Sequence, residues 1–113
     1  MISSSSIAYY ISTAAVEKKA KDIKILNVND ISPITDYFVI CSGNSSIQVK
    51  AIADEIEDKM AERGFQLRHK EGYSTARWVL LDYDSVIAHV FYNEDREFYD
   101  LERLWADAQA VSF

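Results

Sequence analysis

The 113-residue chain has little of what builds cross-linked, metal-bound or membrane-spanning proteins. Its single cysteine, Cys41, excludes an intramolecular disulfide framework and any multi-cysteine metal site. No apolar run approaches the ~20 residues of a membrane-spanning helix. Three glycines and one proline, beside 49% hydrophobic residues, are typical of a globular chain and not of a disordered or fibrous one. We expect one domain over residues 1–113, with residues 1–6 mobile, no secretory or transit peptide, and a location in the reducing cytoplasm.

Acidic charge is concentrated near the C-terminus. Residues 1–81 contain ten acidic and ten basic side chains, so the net charge of −6 comes from eight acids against two bases in residues 82–113. An acidic surface repels phosphate backbones, which predicts little or no direct nucleic-acid binding. An acidic, aromatic-rich end suits a basic protein partner. The alternative is that these acids only solubilise an exposed helix.

Hydrophobic periodicity predicts an α/β fold with the element order α-β-β-α-β-β-β-α and a mixed sheet of about five strands. A first helix, capped by Ser5 or Ser6, should fade near Lys21. A second should begin at Ser45 and end at Gly64, which suits a left-handed C-terminal position. The predicted strands are residues 23–28, 37–41, 65–69, 78–82 and 86–92, and Asn93 can cap a closing helix whose apolar stripe is Phe98, Leu101, Leu104, Trp105 and Ala108.

The helix between residues 37–41 and 65–69 has a consequence for strand pairing. If both strands lie in one sheet, they should pair in parallel through a right-handed crossover. Residues 83–85 separate the next two strands and are typical of a hairpin turn.

No constellation of residues indicates catalysis or a cofactor. Asp82 and Asp84 have the spacing of a two-metal carboxylate pair, but Asp84 falls in the predicted turn, where aspartate is favoured for local hydrogen bonding. His69 and His89 lie on different strands with no further metal ligand at a suitable spacing. The segment after Cys41 lacks the glycines and lysine of nucleotide-binding loops. We therefore predict a non-enzyme without a metal or cofactor.

Aromatic side chains on the last two strands are candidates for a protein-binding surface. Alternation places Trp78 and Asp82 on one side of their strand, and His89 and Phe91 on one side of the next. An exposed ring beside a carboxylate is typical of such a surface. The pattern leaves open whether these rings face a partner or are covered within the chain. Tyr99 lies off the stripe of the closing helix and is the best candidate for an exposed ring.

Several blocks of sequence resemble the ribosomal silencing factor family, also called RsfS, YbeB or Iojap. The resemblance spans about residues 8–108, and the segments that carry it are DYFVICSG at 36–43, SS at 45–46, QVKAIAD at 48–54, EG at 71–72, WVLLDY at 78–83, HVF at 89–91 and REFYDLERLW at 96–105. It implies a nucleotidyltransferase-like α/β topology without working catalytic carboxylates. It also implies a translational repressor that binds large-subunit ribosomal protein number fourteen and sterically blocks subunit joining when nutrients are short. A homodimer is a further implication.

The chain departs from this family pattern at three places. Ile47 occupies a usual arginine position, and Tyr92-Asn93 replaces a common His-Pro. Asp84-Ser85 replaces Gly-Asp in the hairpin, which puts a side chain where a positive φ is expected.

From the aromatic pattern and the resemblance together we predict a partner surface with Trp78 and Tyr99 as anchors. Its predicted residues are Trp78, Asp82, Tyr83, His89, Phe91, Arg96 and Tyr99. The competing hypotheses are a metal-dependent nucleotidyltransferase using Asp82 and Asp84, and a dimeric scaffold without a ribosomal role.

Overall fold

The computed structural model describes residues 3–94, residue 96 and residues 109–111, and it has the predicted α/β fold. The first two helices pack on one face of a mixed sheet, which has six strands where about five were expected. The additional strand is a three-residue segment near the C-terminus, too short to produce a recognisable alternation. In chain order the elements are α1 (Ser4–Glu17), β1 (Lys21–Asn27), β2 (Tyr37–Gly43), α2 (Ser46–Glu62), β3 (His69–Glu71), β4 (Trp78–Asp82), β5 (Val86–Tyr92) and β6 (Gln109–Val111).

The strand order across the sheet is β3-β4-β5-β2-β1-β6. Strands β2 and β5 pair in parallel over their full length, and all other neighbours are antiparallel. The predicted pairing of β2 with the strand after α2 is therefore wrong. That strand, β3, begins at His69, has three exposed residues and lies beside β4 at the sheet edge. The long apolar β5 takes the place beside β2 because it can bury both of its faces there.

Local capping explains where the helices begin and end. The Ser45 hydroxyl accepts the Gln48 N–H at 3.0 Å, and the Gln48 side chain accepts the Asn44 N–H, which confirms the predicted start of α2. Gly64, with φ +85°, follows its end as predicted. Helix α1 begins earlier than expected, because Ser3 is its N-cap and residues 4–6, predicted to be mobile, form its first turn.

Apolar side chains pack on both faces of the sheet. On the face toward α1 and α2, alternate residues of the central strands meet the buried stripes of both helices, and Ile52 and Ile56 of α2 are fully buried there. On the opposite side, which we call the second face, Phe38, Ile40 and Phe91 form a smaller buried cluster with Leu26 and Val28. Asn93 and Glu94 are helical, while the predicted stripe of the closing helix lies outside the described residues.

Gly72 provides a test of the connection between β3 and β4. Its φ is +78°, and a Cβ placed there would lie 2.0 Å from the Trp78 carbonyl oxygen. We expect Gly72→Ala to lower the free energy of unfolding by about 2–4 kcal/mol, because it combines a left-handed backbone with a backbone clash. Gly64→Ala is the matched control, since Gly64 is also left-handed but faces open space. Urea unfolding of both variants measures the difference. Equal losses of unfolding free energy in the two variants would contradict the clash.

Candidate partner-binding surface

The predicted contact residues do not all lie on one face of the sheet. Trp78, Asp82, His89 and Phe91 alternate with residues of the helix-side core and so lie on the second face. Tyr83, in contrast, packs with the helix-side core and is buried. A partner that contacts Trp78 reaches Tyr83 only by extending around the β4–β5 hairpin.

The Trp78 ring is held by two neighbours on β5. It stacks on Phe91, with ring centroids 5.2 Å apart and an interplanar angle of 24°. Its indole Nε1–H donates a hydrogen bond to His89 Nδ1 at 3.0 Å. The Phe38 ring, from β2, packs in a T-shaped arrangement with the histidine ring, with the two centroids 4.8 Å apart. Trp78 is thus fixed in orientation while its side chain stays only half-buried.

The residues around Trp78 differ in how much surface they offer. Phe91 is 0% and His89 4% exposed, so both support the tryptophan and present almost no area of their own. Asp82 is half-buried at the other end of β4. Among the predicted residues that the structure describes, Trp78 and Asp82 are therefore the two with accessible side chains. Tyr99, the other predicted anchor, lies outside the described residues.

Burial determines the protonation state of His89. It lowers the pKa of the imidazole from 6.5 to about 4, so the ring is neutral at physiological pH. Because Nδ1 accepts the Trp78 hydrogen bond, the ring proton resides on Nε2. Within the described part of the chain, Nε2 has no hydrogen-bond partner. Charging this ring would also convert Nδ1 from an acceptor to a donor and break its bond to Trp78.

Arg96 connects the end of β5 to β2. Its Nη1 donates to Ser42 Oγ at 2.9 Å, and the arginine side chain is buried. This contact joins residues 54 positions apart and lies at the carboxyl ends of the two parallel strands. Arg96 was predicted to contact a partner; in the structure its guanidinium group binds within the chain.

The Asp82/Asp84 pair stabilises the hairpin turn. The Asp82 carboxylate accepts the Asp84 N–H at 2.7 Å, and Asp84 has a φ of 74°. The positive φ expected at this departure from the family pattern is thus confirmed, and Asp82 makes the local backbone hydrogen bond for which aspartate is favoured in turns. No cluster of three or more metal-ligating side chains occurs among the described residues.

The other two candidate side chains, Cys41 and His69, are not part of a reactive or metal-binding site in the described part of the chain. Burial raises the pKa of the Cys41 thiol to about 12, which makes it an unreactive part of the core. His69 is exposed and lies 3.0 Å from the Glu71 carboxylate.

Among the described helices, none is both long and apolar enough to cross a bilayer. The sequence did not predict the Trp78–His89 and Arg96–Ser42 contacts. Strand alternation indicates only that Trp78 and His89 lie on the same face of the sheet.

The neutral, buried His89 predicts a pH-dependent stability. Between pH 6.5 and about 4 the unfolded chain binds a proton that the folded chain excludes, so the free energy of unfolding falls as pH decreases through this window. We expect the contribution of His89 to this loss to be about 3 kcal/mol. His89→Asn is the control, because an amide oxygen can accept from Trp78 but does not titrate. The free energy of unfolding is measured in urea at several pH values. If it falls with decreasing pH by the same amount in the parent and in this variant, His89 is not the titrating group.

Comparison with known proteins gives the chain its family. A family model described as "Ribosomal silencing factor during starvation" matches residues 2–113. Ribosomal silencing factor RsfS of Bacillus subtilis (strain 168) is 48% identical over 103 residues, which cover 91% of this chain and 87% of the relative. An X-ray structure of a protein from Chromobacterium violaceum has a TM-score of 0.91 at 31% identity, covering 99% of this chain and 92% of that one. A mouse relative, "Mitochondrial assembly of ribosomal large subunit protein 1", is 32% identical over 92 residues, 79% of this chain and 40% of the relative. The chain belongs to the ribosomal silencing factor (RsfS) family.

Proposed function

We propose that this protein is a cytoplasmic translational repressor that binds the large ribosomal subunit and prevents its association with the small one when nutrients are limiting. Membership of the silencing-factor family supports the ribosomal role, and the name of the mouse relative refers to the large subunit. The direct partner we propose is large-subunit protein number fourteen. Repression is steric, because a bound domain of this size occupies surface that the small subunit needs.

The observation that carries the proposal is the half-buried Trp78 on the second face. A large aromatic side chain held by a stack and a hydrogen bond loses little conformational freedom when a partner covers it. Such preorganised aromatic residues are typical anchors of protein interfaces. Asp82, on the same strand and face, supplies a carboxylate that favours a basic partner.

The full contact that we propose extends from this anchor. It comprises Trp78, Asp82 and Tyr99 as direct contacts, with Tyr83 at the adjacent hairpin. His89 and Phe91 hold Trp78 in place from beneath. Arg96 holds the ends of the two parallel strands together through Ser42. The protein needs no cofactor or metal for this role, and it is a homodimer when unbound.

A binding role also accounts for the chemistry of the site better than catalysis does. His89 is neutral and holds a tryptophan, and one oxygen of the Asp82 carboxylate accepts a backbone N–H of its own hairpin. His89 is almost fully buried, and among the described residues neither side chain belongs to a cluster of three or more metal ligands.

Substitution of Trp78 tests the proposed function. We expect Trp78→Ala to weaken binding to isolated large subunits by about 2 kcal/mol or more, roughly 30-fold in Kd, because a central aromatic anchor is lost. Trp78→Phe, which keeps the stack on Phe91, should retain more of the affinity. The measurement is co-sedimentation with large subunits, small subunits and joined ribosomes across a salt series.

Tyr9→Ala is the matched control, because Tyr9 is an exposed aromatic residue of α1, remote from the second face. It should leave large-subunit binding unchanged. If Trp78→Ala is folded by circular dichroism and binds as well as the parent, Trp78 is not the anchor. If the parent itself does not sediment with large subunits at low salt, the repressor proposal is wrong and a scaffold role is favoured.

A further inference from the structure

The turn between α1 and β1 is locally basic although the chain as a whole is acidic. In residues 17–24, four exposed lysines accompany two acids; the lysines are Lys18, Lys19, Lys21 and Lys24, and the acids are Glu17 and Asp22. This segment therefore carries a net charge of +2, from four positive minus two negative, against −6 for the whole chain. We call residues 18–21 the lysine turn.

The backbone of the lysine turn ends α1 in a conformation that favours glycine. The Ala20 N–H donates to the Ala15 carbonyl at 3.1 Å, and the Lys19 N–H donates to the Val16 carbonyl at 2.9 Å. This pair of bonds is a Schellman motif, in which the left-handed residue is usually glycine. Here that residue is Lys19, with φ 61°. A lysine in this position lowers stability relative to glycine, and its side chain is exposed.

Helix α2 holds the lysine turn in place. The Gln48 Nε2 donates to the carbonyl oxygens of Lys18 and Lys19, at 3.2 and 3.1 Å. Gln48 is itself fixed, because its Oε1 accepts the Asn44 N–H and its backbone is bound by the Ser45 cap. The lysines therefore extend from a rigid backbone, which reduces the entropy lost when they bind.

Sheet register connects the lysine turn to the proposed anchor. Lys21 is the partner of Ser42 on β2, Ser42 is the partner of Phe91 on β5, and Phe91 is the partner of Trp78 on β4. These four residues form one row across the sheet. Three strand spacings separate its ends, or about 14 Å. A surface that covers Trp78 can therefore also reach Lys21, whereas Lys18 and Lys19 lie at the end of α1, toward the helix side of the sheet.

We propose that the lysine turn contacts phosphate groups of ribosomal RNA beside the protein contact made by Trp78. This inference rests on the proposed function, because it takes the large subunit as the partner. Lysine side chains neutralise phosphates without reading bases, so the contact adds affinity and orientation but no sequence specificity. The net acidic charge keeps binding to free RNA weak, in agreement with the low nucleic-acid affinity expected from composition.

Charge-matched variants test this contact. Lys19→Gly/Lys21→Gln removes two positive charges from the lysine turn, and Lys59→Gln/Arg68→Gln removes two elsewhere, from a half-buried position on α2 and an exposed one before β3. We expect the first variant to bind large subunits about tenfold more weakly near 100 mM salt, with the slope of log K against log salt reduced by about 1.5. The control should keep the parent slope. Because Lys19→Gly relieves a left-handed lysine, the first variant should unfold at a urea concentration no lower than the parent.

Two further measurements separate the modes of failure. If the parent does not sediment with large subunits, the proposed function fails and this inference fails with it. If the parent binds and both double variants have its affinity and slope, only the lysine contact is wrong. A short RNA duplex at low salt identifies the chemistry: weak binding by the parent that the lysine-turn variant loses supports phosphate contact. Unchanged duplex binding, with large-subunit binding weakened, would assign the turn to an acidic ribosomal protein instead.

Discussion

The parallel pairing of β2 with β5 is the constraint on which the rest of the structure depends. It joins segments more than forty residues apart and puts two long apolar strands in the middle of the sheet. One face of this pair receives α1 and α2, while the other carries Ile40, His89 and Phe91. Because the strands run in the same direction, their carboxyl ends meet, and there Arg96 binds Ser42. The β4–β5 hairpin then places Trp78 against Phe91.

The Trp78–His89 contact joins stability to function on the second face. A buried imidazole that must stay neutral destabilises the fold in acid. A leucine in its place would bury apolar surface without leaving an N–H unpaired among the described residues. What His89 adds is an acceptor that fixes the orientation of the tryptophan. The same reasoning applies to Lys19, which occupies a backbone conformation better suited to glycine. His89 supports the proposed anchor from beneath, and Lys19 belongs to the lysine turn.

The topology separates the Asp82–Asp84 hairpin from the lysine turn. The hairpin with Asp82 and Asp84 lies at the end where β2 begins, and the lysine turn lies where β2 finishes. Composition alone places the excess of acid late in the chain, yet it does not show that early lysines gather at one corner. A partner with both basic protein and phosphate on its surface, as a ribosomal subunit has, matches this separation.

Local chemistry was sufficient to predict much of this protein. Strands β4 and β5, the Ser45 cap, the left-handed positions of Gly64 and Asp84, and the faces of Trp78 and His89 all follow from periodicity, capping and turn preferences, which act over a few residues. The pairing of β2 with β5 in place of β3 required the tertiary structure, since it depends on which strand can bury both faces. So did the burial of Phe91, the Arg96–Ser42 contact and the gathering of lysines beside α2. Each of these depends on residues distant in sequence meeting in space, and no short-range pattern records which of them will meet.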